Sequence, residues 1–252
     1  MDGSLVHDRK TGLSLMKKFV VFVFSVLVIT GIVAVYFFFI SPDSRKNGTT
    51  YVIPFIRNAE THQDWAVEAL TSCNGAPFVM PTRGLIGYLW DDSFKIGHRH
   101  QGIDIFAGTD IGITPVYAAY DGFLSRQSDW KSTLIIRIPS DPLQPGRQIW
   151  TYYTHLADPE GNSLIAVDFP PGTTEVVVKA GTLLGYQGNF SGDPLNPVGV
   201  HLHFSIVKDN GSGKYLNELE IANTLDPSPY LGLPLNKNNR PNFPIKCETN
   251  TQ

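Results

Sequence analysis

Three short segments hold most of the side chains able to do chemistry: His100-Gln-Gly-Ile-Asp104, a lone His155, and His201-Leu202-His203. A strand sends alternate side chains to opposite faces, so His201 and His203 share one side if their segment is extended. Catalytic zinc takes three nitrogen or oxygen ligands and keeps one position open for water. His100 and Asp104, at the two sides of a turn entering a strand, can supply two ligands, and one member of the His201/His203 pair the third. Two imidazoles then remain, and amide hydrolysis has work for both. The attacking water must lose a proton, and the oxyanion and departing amine need a donor. His155, in Thr151-Tyr-Tyr-Thr-His-Leu156, can reach the same cleft from a third strand. Spacing does not decide which histidine binds metal and which moves protons. Taken singly, each motif also fits ordinary turn or core residues. His98 is a rival for His100, but the four-residue step to Asp104 and the adjacent Gly102 favour His100.

These residues need elements to position them. Beyond Cys73 the chain consists of short β-branched and aromatic runs broken by Gly, Pro and Asp, the texture of a mainly β domain. Strands are expected at 102–106, 115–119, 122–125, 133–138, 149–155, 175–178 and 201–207. A short peripheral helix is expected within 59–70, where Trp65, Ala66, Ala69 and Leu70 make a partial apolar stripe. Trp90, Phe94 and Tyr120 can either line a groove or pack beneath the sheet.

The N-terminus carries a nearly uninterrupted apolar run at 19–40, which as one helix would extend roughly 33 Å, enough for a bilayer core. Arg9, Lys10, Lys17 and Lys18 precede it and only Arg45 and Lys46 follow closely, which favours a cytoplasmic N-terminus and an extracytoplasmic domain. The run exceeds a normal signal-peptide core, and no convincing small-residue cleavage site follows it, so a retained anchor is expected. In an oxidising compartment Cys73 and Cys247 can pair; two free thiols are the alternative. The formal net charge of −3, without a long basic run in the soluble part, offers no footprint for nucleic acid, and none is expected as a partner. The Asn47-Gly-Thr49 and Asn189-Phe-Ser191 triplets have meaning only in a glycosylating host. The expected organisation is a cytoplasmic segment (1–18), a transmembrane helix (19–40), a tether and packing segment (41–79), a catalytic domain (80–231) and a C-terminal extension (232–252).

Over about 80–231 the sequence resembles the LytM/lysostaphin-like zinc metallopeptidases, the M23 peptidase family. The resemblance lies in His100-Gln-Gly-Ile-Asp104-Ile, Gly112-Ile-Thr-Pro-Val-Tyr-Ala-Ala-Tyr-Asp-Gly122, Tyr153-Thr-His-Leu156, Gly181-Thr-Leu-Leu-Gly-Tyr-Gln-Gly188 and Val200-His-Leu-His-Phe-Ser205. It implies an antiparallel β-sheet core with a groove above it. It further implies zinc on His100, Asp104 and His203, a catalytic pair of His155 and His201, and hydrolysis of peptidoglycan stem peptides or cross-bridges. A regulatory protein partner is compatible with it but not specified. The Ser191-Gly-Asp-Pro-Leu-Asn-Pro-Val198 segment departs from the compact glycine-rich approach of the family, which bears on substrate contacts more than on metal. The non-enzymatic alternative is a cell-wall-binding or regulatory scaffold that retains a zinc site.

Overall fold

The computed structural model describes residues 5–35, 48–93, 97–239 and 241–247. Residues 36–40 of the expected membrane segment, most of the tether with Arg45, Lys46 and Asn47, Phe94, and the end of the C-terminal extension lie outside that set. Two compact units separate at Asn47/Gly48. In the first, helix α1 runs Leu5–Val35. It starts well before the apolar run because helical hydrogen bonding continues through the polar residues ahead of it, whereas hydropathy marks only the greasy part. Its Lys17–Ala34 stretch is long and apolar enough to cross a membrane.

The second unit is built on strands β1 (Leu85–Tyr88), β2 (Ile103–Phe106), β3 (Pro115–Tyr117), β4 (Gly122–Ser125), β5 (Leu134–Ile138), β6 (Ile149–Thr154), β7 (Val176–Val178), β8 (Leu183–Tyr186), β9 (His201–Lys208) and β10 (Thr224–Leu225). Its main sheet has the order β1-β2-β9-β6-β5-β4-β7, with β10 added to β9, while β3 and β8 form a separate ribbon. All these strand pairs are antiparallel. β9 occupies the middle, between β2 and β6. Its Leu202, Phe204 and Ile206 join Ile103, Ile105 and Tyr153 in the largest core cluster, so the alternate set, His201, His203 and Ser205, faces the other way.

Several elements differ from the expectation. β1 and β8 were not foreseen; each is a four-residue strand with glycine at its third position, Leu-Ile-Gly-Tyr and Leu-Leu-Gly-Tyr, and glycine weakens the strand signal. At Gly87 packing explains the residue: a Cβ would come within 2.4 Å of Val52 Cγ2 and 2.7 Å of Phe106 Cε2. What presses against it is helix α2 (Thr49–Arg57), which contains Pro54 and lies ahead of the expected helix. An interior proline argues against a helix locally; burial of Val52 and Phe55 against Leu85 and Phe106 outweighs that penalty. The expected helix at 59–70 is instead a shorter 3₁₀ stretch, Ala59–Trp65, kinked at His62. The strand expected at 115–119 stops at Tyr117 because the next amides bond elsewhere, Ala118 to the Thr182 carbonyl and Ala119 to the Tyr153 hydroxyl. A short helix α3 (Ser228–Leu231) packs Tyr230 and Leu231 into the core. Cys73 and Cys247 are joined in a disulfide, with Cα atoms 5.3 Å apart.

Candidate metal centre

The register of three neighbouring strands assembles the site. β2 and β9 pair Asp104 with His203 and Phe106 with His201, and β6 pairs Thr154 with the same His203. Directly opposed residues on one face of an antiparallel pair have Cβ atoms about 4.5–5.5 Å apart, close enough for a carboxylate and an imidazole to meet. A slip of one residue would turn both histidines into the core. His100 arrives from the connection ahead of β2. There its amide bonds the Asp92 carbonyl at 2.7 Å, and its carbonyl accepts from the Asp91 amide at 2.8 Å.

His100 Nε2 lies 3.1 Å from Asp104 Oδ1 and 3.0 Å from His203 Nδ1, and the last two atoms are 2.9 Å apart. Ligands about 2.0–2.1 Å from a tetrahedral ion stand roughly 3.3 Å from one another, so this triangle would open by only a few tenths of an ångström to hold one. Among the described residues these three form the group able to hold a metal ion. His201 stands just outside, its Nε2 3.6 Å from Asp104 Oδ1.

Each imidazole is fixed from behind. His100 Nδ1 faces the Leu89 carbonyl at 2.9 Å, His155 Nδ1 the Phe190 carbonyl at 2.7 Å, and His201 Nδ1 the Gly199 carbonyl at 2.6 Å. A carbonyl oxygen only accepts, so the nitrogen facing it carries the hydrogen and the opposite nitrogen presents a lone pair. His203 follows the same plan with a carboxylate: Nε2 lies 2.9 Å from Glu218 Oε1, leaving Nδ1 for the triangle. The fit to a metal therefore extends beyond the three ligand atoms to the hydrogen bonds that orient them.

Charge distributes unevenly across the cluster. At Asp104 burial by itself would raise the pKa, but the surrounding His100, His201 and His203 imidazoles hold it well below the carboxylate range. At His203 burial opposes protonation, yet Glu218 and Asp104 on its two sides push it up to about 10. The field at its Nδ1 thus favours a positive charge, proton or metal ion. Burial lowers His155 to about 3, helped by His201 and His203, and burial likewise lowers His201, so both are neutral near pH 7. Burial raises and His203 lowers Glu218, which ends below its usual value.

His155 sits immediately after β6 in a left-handed conformation, φ 72°, unusual for a residue with a Cβ. Its backbone is approached so closely by Gly188 that a Cβ there would lie 2.6 Å from the His155 carbonyl oxygen and 2.1 Å from that of Ala157. The His155 and His201 rings are 4.5 Å apart, and Phe106 stacks on the other side of His201 at 4.9 Å. All five sequence-selected residues border one cavity of about 650 Å³, with Val52 and Ile56 of α2 in its wall. His98 also borders it but is not in the metal-holding group. Trp90 donates to Thr224 Oγ1 and Tyr120 stacks on Phe78, so both serve packing. Glu218 was missed; in Asn217-Glu-Leu-Glu220 no spacing marks it, and its place follows only from how that loop returns to β9.

No family profile matches the chain, and no curated protein sequence matches it. Solved structures do. The catalytic domain of the antimicrobial peptidase lysostaphin from Staphylococcus simulans is 21% identical, with 57% of this chain and 88% of that one covered and a TM-score of 0.37. A second structure, of the antimicrobial peptidase lysostaphin from the same organism, is also 21% identical at a TM-score of 0.37, and the match takes in 65% of this chain but 55% of that one. A protein from Ruminococcus gnavus described as a putative glycyl-glycine endopeptidase LytM is 23% identical over 65% of this chain and 63% of that one, with a TM-score of 0.35. Scores at this level carry no functional argument of their own.

Proposed function

We propose that this chain is a membrane-anchored zinc metalloendopeptidase that hydrolyses peptide bonds in peptidoglycan stem peptides or cross-bridges. The observation that carries the reading is the convergence of His100 Nε2, Asp104 Oδ1 and His203 Nδ1 within about 3 Å of one another, beside two further imidazoles in the same cavity. The peptidoglycan substrate rests on the sequence resemblance to the M23 family. Bound zinc would supply Lewis acidity, lowering the pKa of water toward ~7 and polarising a carbonyl. His155 and His201, held neutral by burial, have Nε2 lone pairs available to accept a proton from water and return it to the departing amine. Their Nδ1 hydrogens stay on the Phe190 and Gly199 carbonyls, so the rings keep their aim while the proton moves. In this reading α1 is the anchor and the domain lies outside the cytoplasm; the apolar length of the helix and the basic residues ahead of the apolar stretch support it.

The test is digestion of purified cross-linked peptidoglycan by the full chain in detergent, with products read by mass spectrometry. New amino termini that vanish on chelation and return with Zn²⁺ are the expected result. Intact peptidoglycan in the presence of stoichiometrically bound zinc would replace the enzyme with a zinc-bearing scaffold.

A further inference from the structure

Among the described residues, the one charged side chain in this cluster without a part in the proposed reaction is Glu218. Its carboxylate is about nine-tenths buried and sits 2.9 Å from His203 Nε2. Burying a carboxylate is unfavourable unless a partner compensates it, and His203 is that partner. The placement is built into the loop around it. Gln101, next in sequence to His100, donates its side-chain amide to the Leu219 carbonyl at 2.8 Å, and Asn223 donates to the Asn217 carbonyl at 2.9 Å. The loop is thus tied on one side to the turn carrying the first ligand and on the other to the approach to β10.

We infer that Glu218 is a positioning residue: by accepting the Nε2 hydrogen of His203 it fixes that ring's tautomer and rotation so that Nδ1 faces His100 and Asp104. Of the three residues in the triangle, His203 is the one whose ring is oriented by a carboxylate; His100 relies on the Leu89 carbonyl. A carbonyl is held by its backbone, whereas a carboxylate adds charge and raises the basicity of the ligand nitrogen across the ring. The inference rests on the metal reading above. It adds a residue that neither the motifs nor the spacing select.

The experiment measures zinc affinity of the full chain in detergent by competition with a chromophoric chelator, for wild type, Glu218→Leu, Glu218→Gln and Glu220→Gln. Glu218→Leu should weaken binding by roughly 10–100-fold, the usual effect of losing an outer partner of a metal-bound histidine. Glu218→Gln, which keeps a carbonyl acceptor, should fall between it and wild type, and this variant decides the matter if the leucine protein does not fold. Glu220→Gln removes the same charge from an exposed neighbour and should leave affinity unchanged. In zinc-loaded protein the His203 Nε2–H signal in ¹⁵N–¹H spectra should be protected from exchange in wild type and lose that protection in Glu218→Leu. Wild-type affinity in both Glu218 variants, or an equal loss in Glu220→Gln, overturns the inference alone. Absence of zinc binding by wild type overturns the metal reading and this inference with it.

Discussion

His203 and His155 are the same residue type with ring centroids 6.2 Å apart, yet their surroundings drive them in opposite directions. His203 stands between Asp104 and Glu218 and is pushed up to about 10; His155 has a carbonyl behind it and other imidazoles ahead, and is held near 3. His203 is buried and His155 half-buried, but desolvation opposes protonation of both, so it does not drive them apart. The difference is the outer partner and the charge it carries. A carboxylate behind the ring turns an imidazole toward a cation, while a carbonyl leaves it a neutral acceptor. That contrast separates His203 from His155 in the proposed enzyme; His100, a proposed ligand with the Leu89 carbonyl behind it, owes its place to meeting Asp104 and His203 instead.

The comparison breaks most visibly at the ligand side. Asp104→Ala or His203→Ala should bring zinc from stoichiometric to background, with peptide cleavage lost in step; metal analysis showing full occupancy would end the assignment. His155→Ala and His201→Ala should keep zinc while turnover drops by about 10²–10⁴-fold, the usual contribution of a positioned acid or base. If either of these variants loses its metal instead, the division between the two groups is wrong.

A smaller effect separates local chemistry from general rigidity. The disulfide closes a loop with a sequence separation of 174, for which the chain-entropy relation has an upper value of about 5 kcal/mol. Cys73→Ser should therefore lower the unfolding free energy read from urea titration by a part of that amount, without reversing the contrast between the His203 and His155 sides. The segment that Cys247 closes also braces the His100 turn: the Trp90 amide bonds the Leu235 carbonyl, and Asn238 donates to Asp91.

Opposite pH slopes are the subtlest expectation, read as thermal stability in the presence of a chelator. Unfolded histidine titrates near 6.5. Because folded His155 resists protonation down to about 3, the unfolded chain gains protons first as pH falls, and stability drops from about pH 6.5 downward. His155→Asn should flatten that decline. Folded His203 keeps its proton up to about 10, so its contribution is complete below 6.5 and is lost as pH rises toward 10. His203→Asn should remove that loss on the alkaline side. Parallel slopes in the two variants would mean that the carboxylate partner does not distinguish them.

The alternation in His201-Leu-His203 and Ile103-Asp-Ile105 was legible because it is local: one set of side chains is apolar and the other is not, and that decides which set enters the core. The mainly β character was equally plain from short branched runs between turns. Less was visible where packing overrode local preference. β1 and β8 hide behind their central glycines, and α2 behind Pro54, since each is stabilised by surfaces that come from elsewhere in the chain. The cysteine pair could be counted but not closed until the fold brought their Cα atoms together.

Residue types, the spacing within each motif and the apolar N-terminal run belong to the sequence by itself, because each depends only on near neighbours along the chain. The pairing of Asp104 with His203, the carbonyls that set the imidazole tautomers and the return of Glu218 to His203 were decided only by the tertiary structure. Apart from the local contact of His201 with the Gly199 carbonyl, two residues away, those contacts join residues 11 to 99 positions apart. No local periodicity encodes which of two histidines on one strand face will meet a carboxylate; strand order and register do.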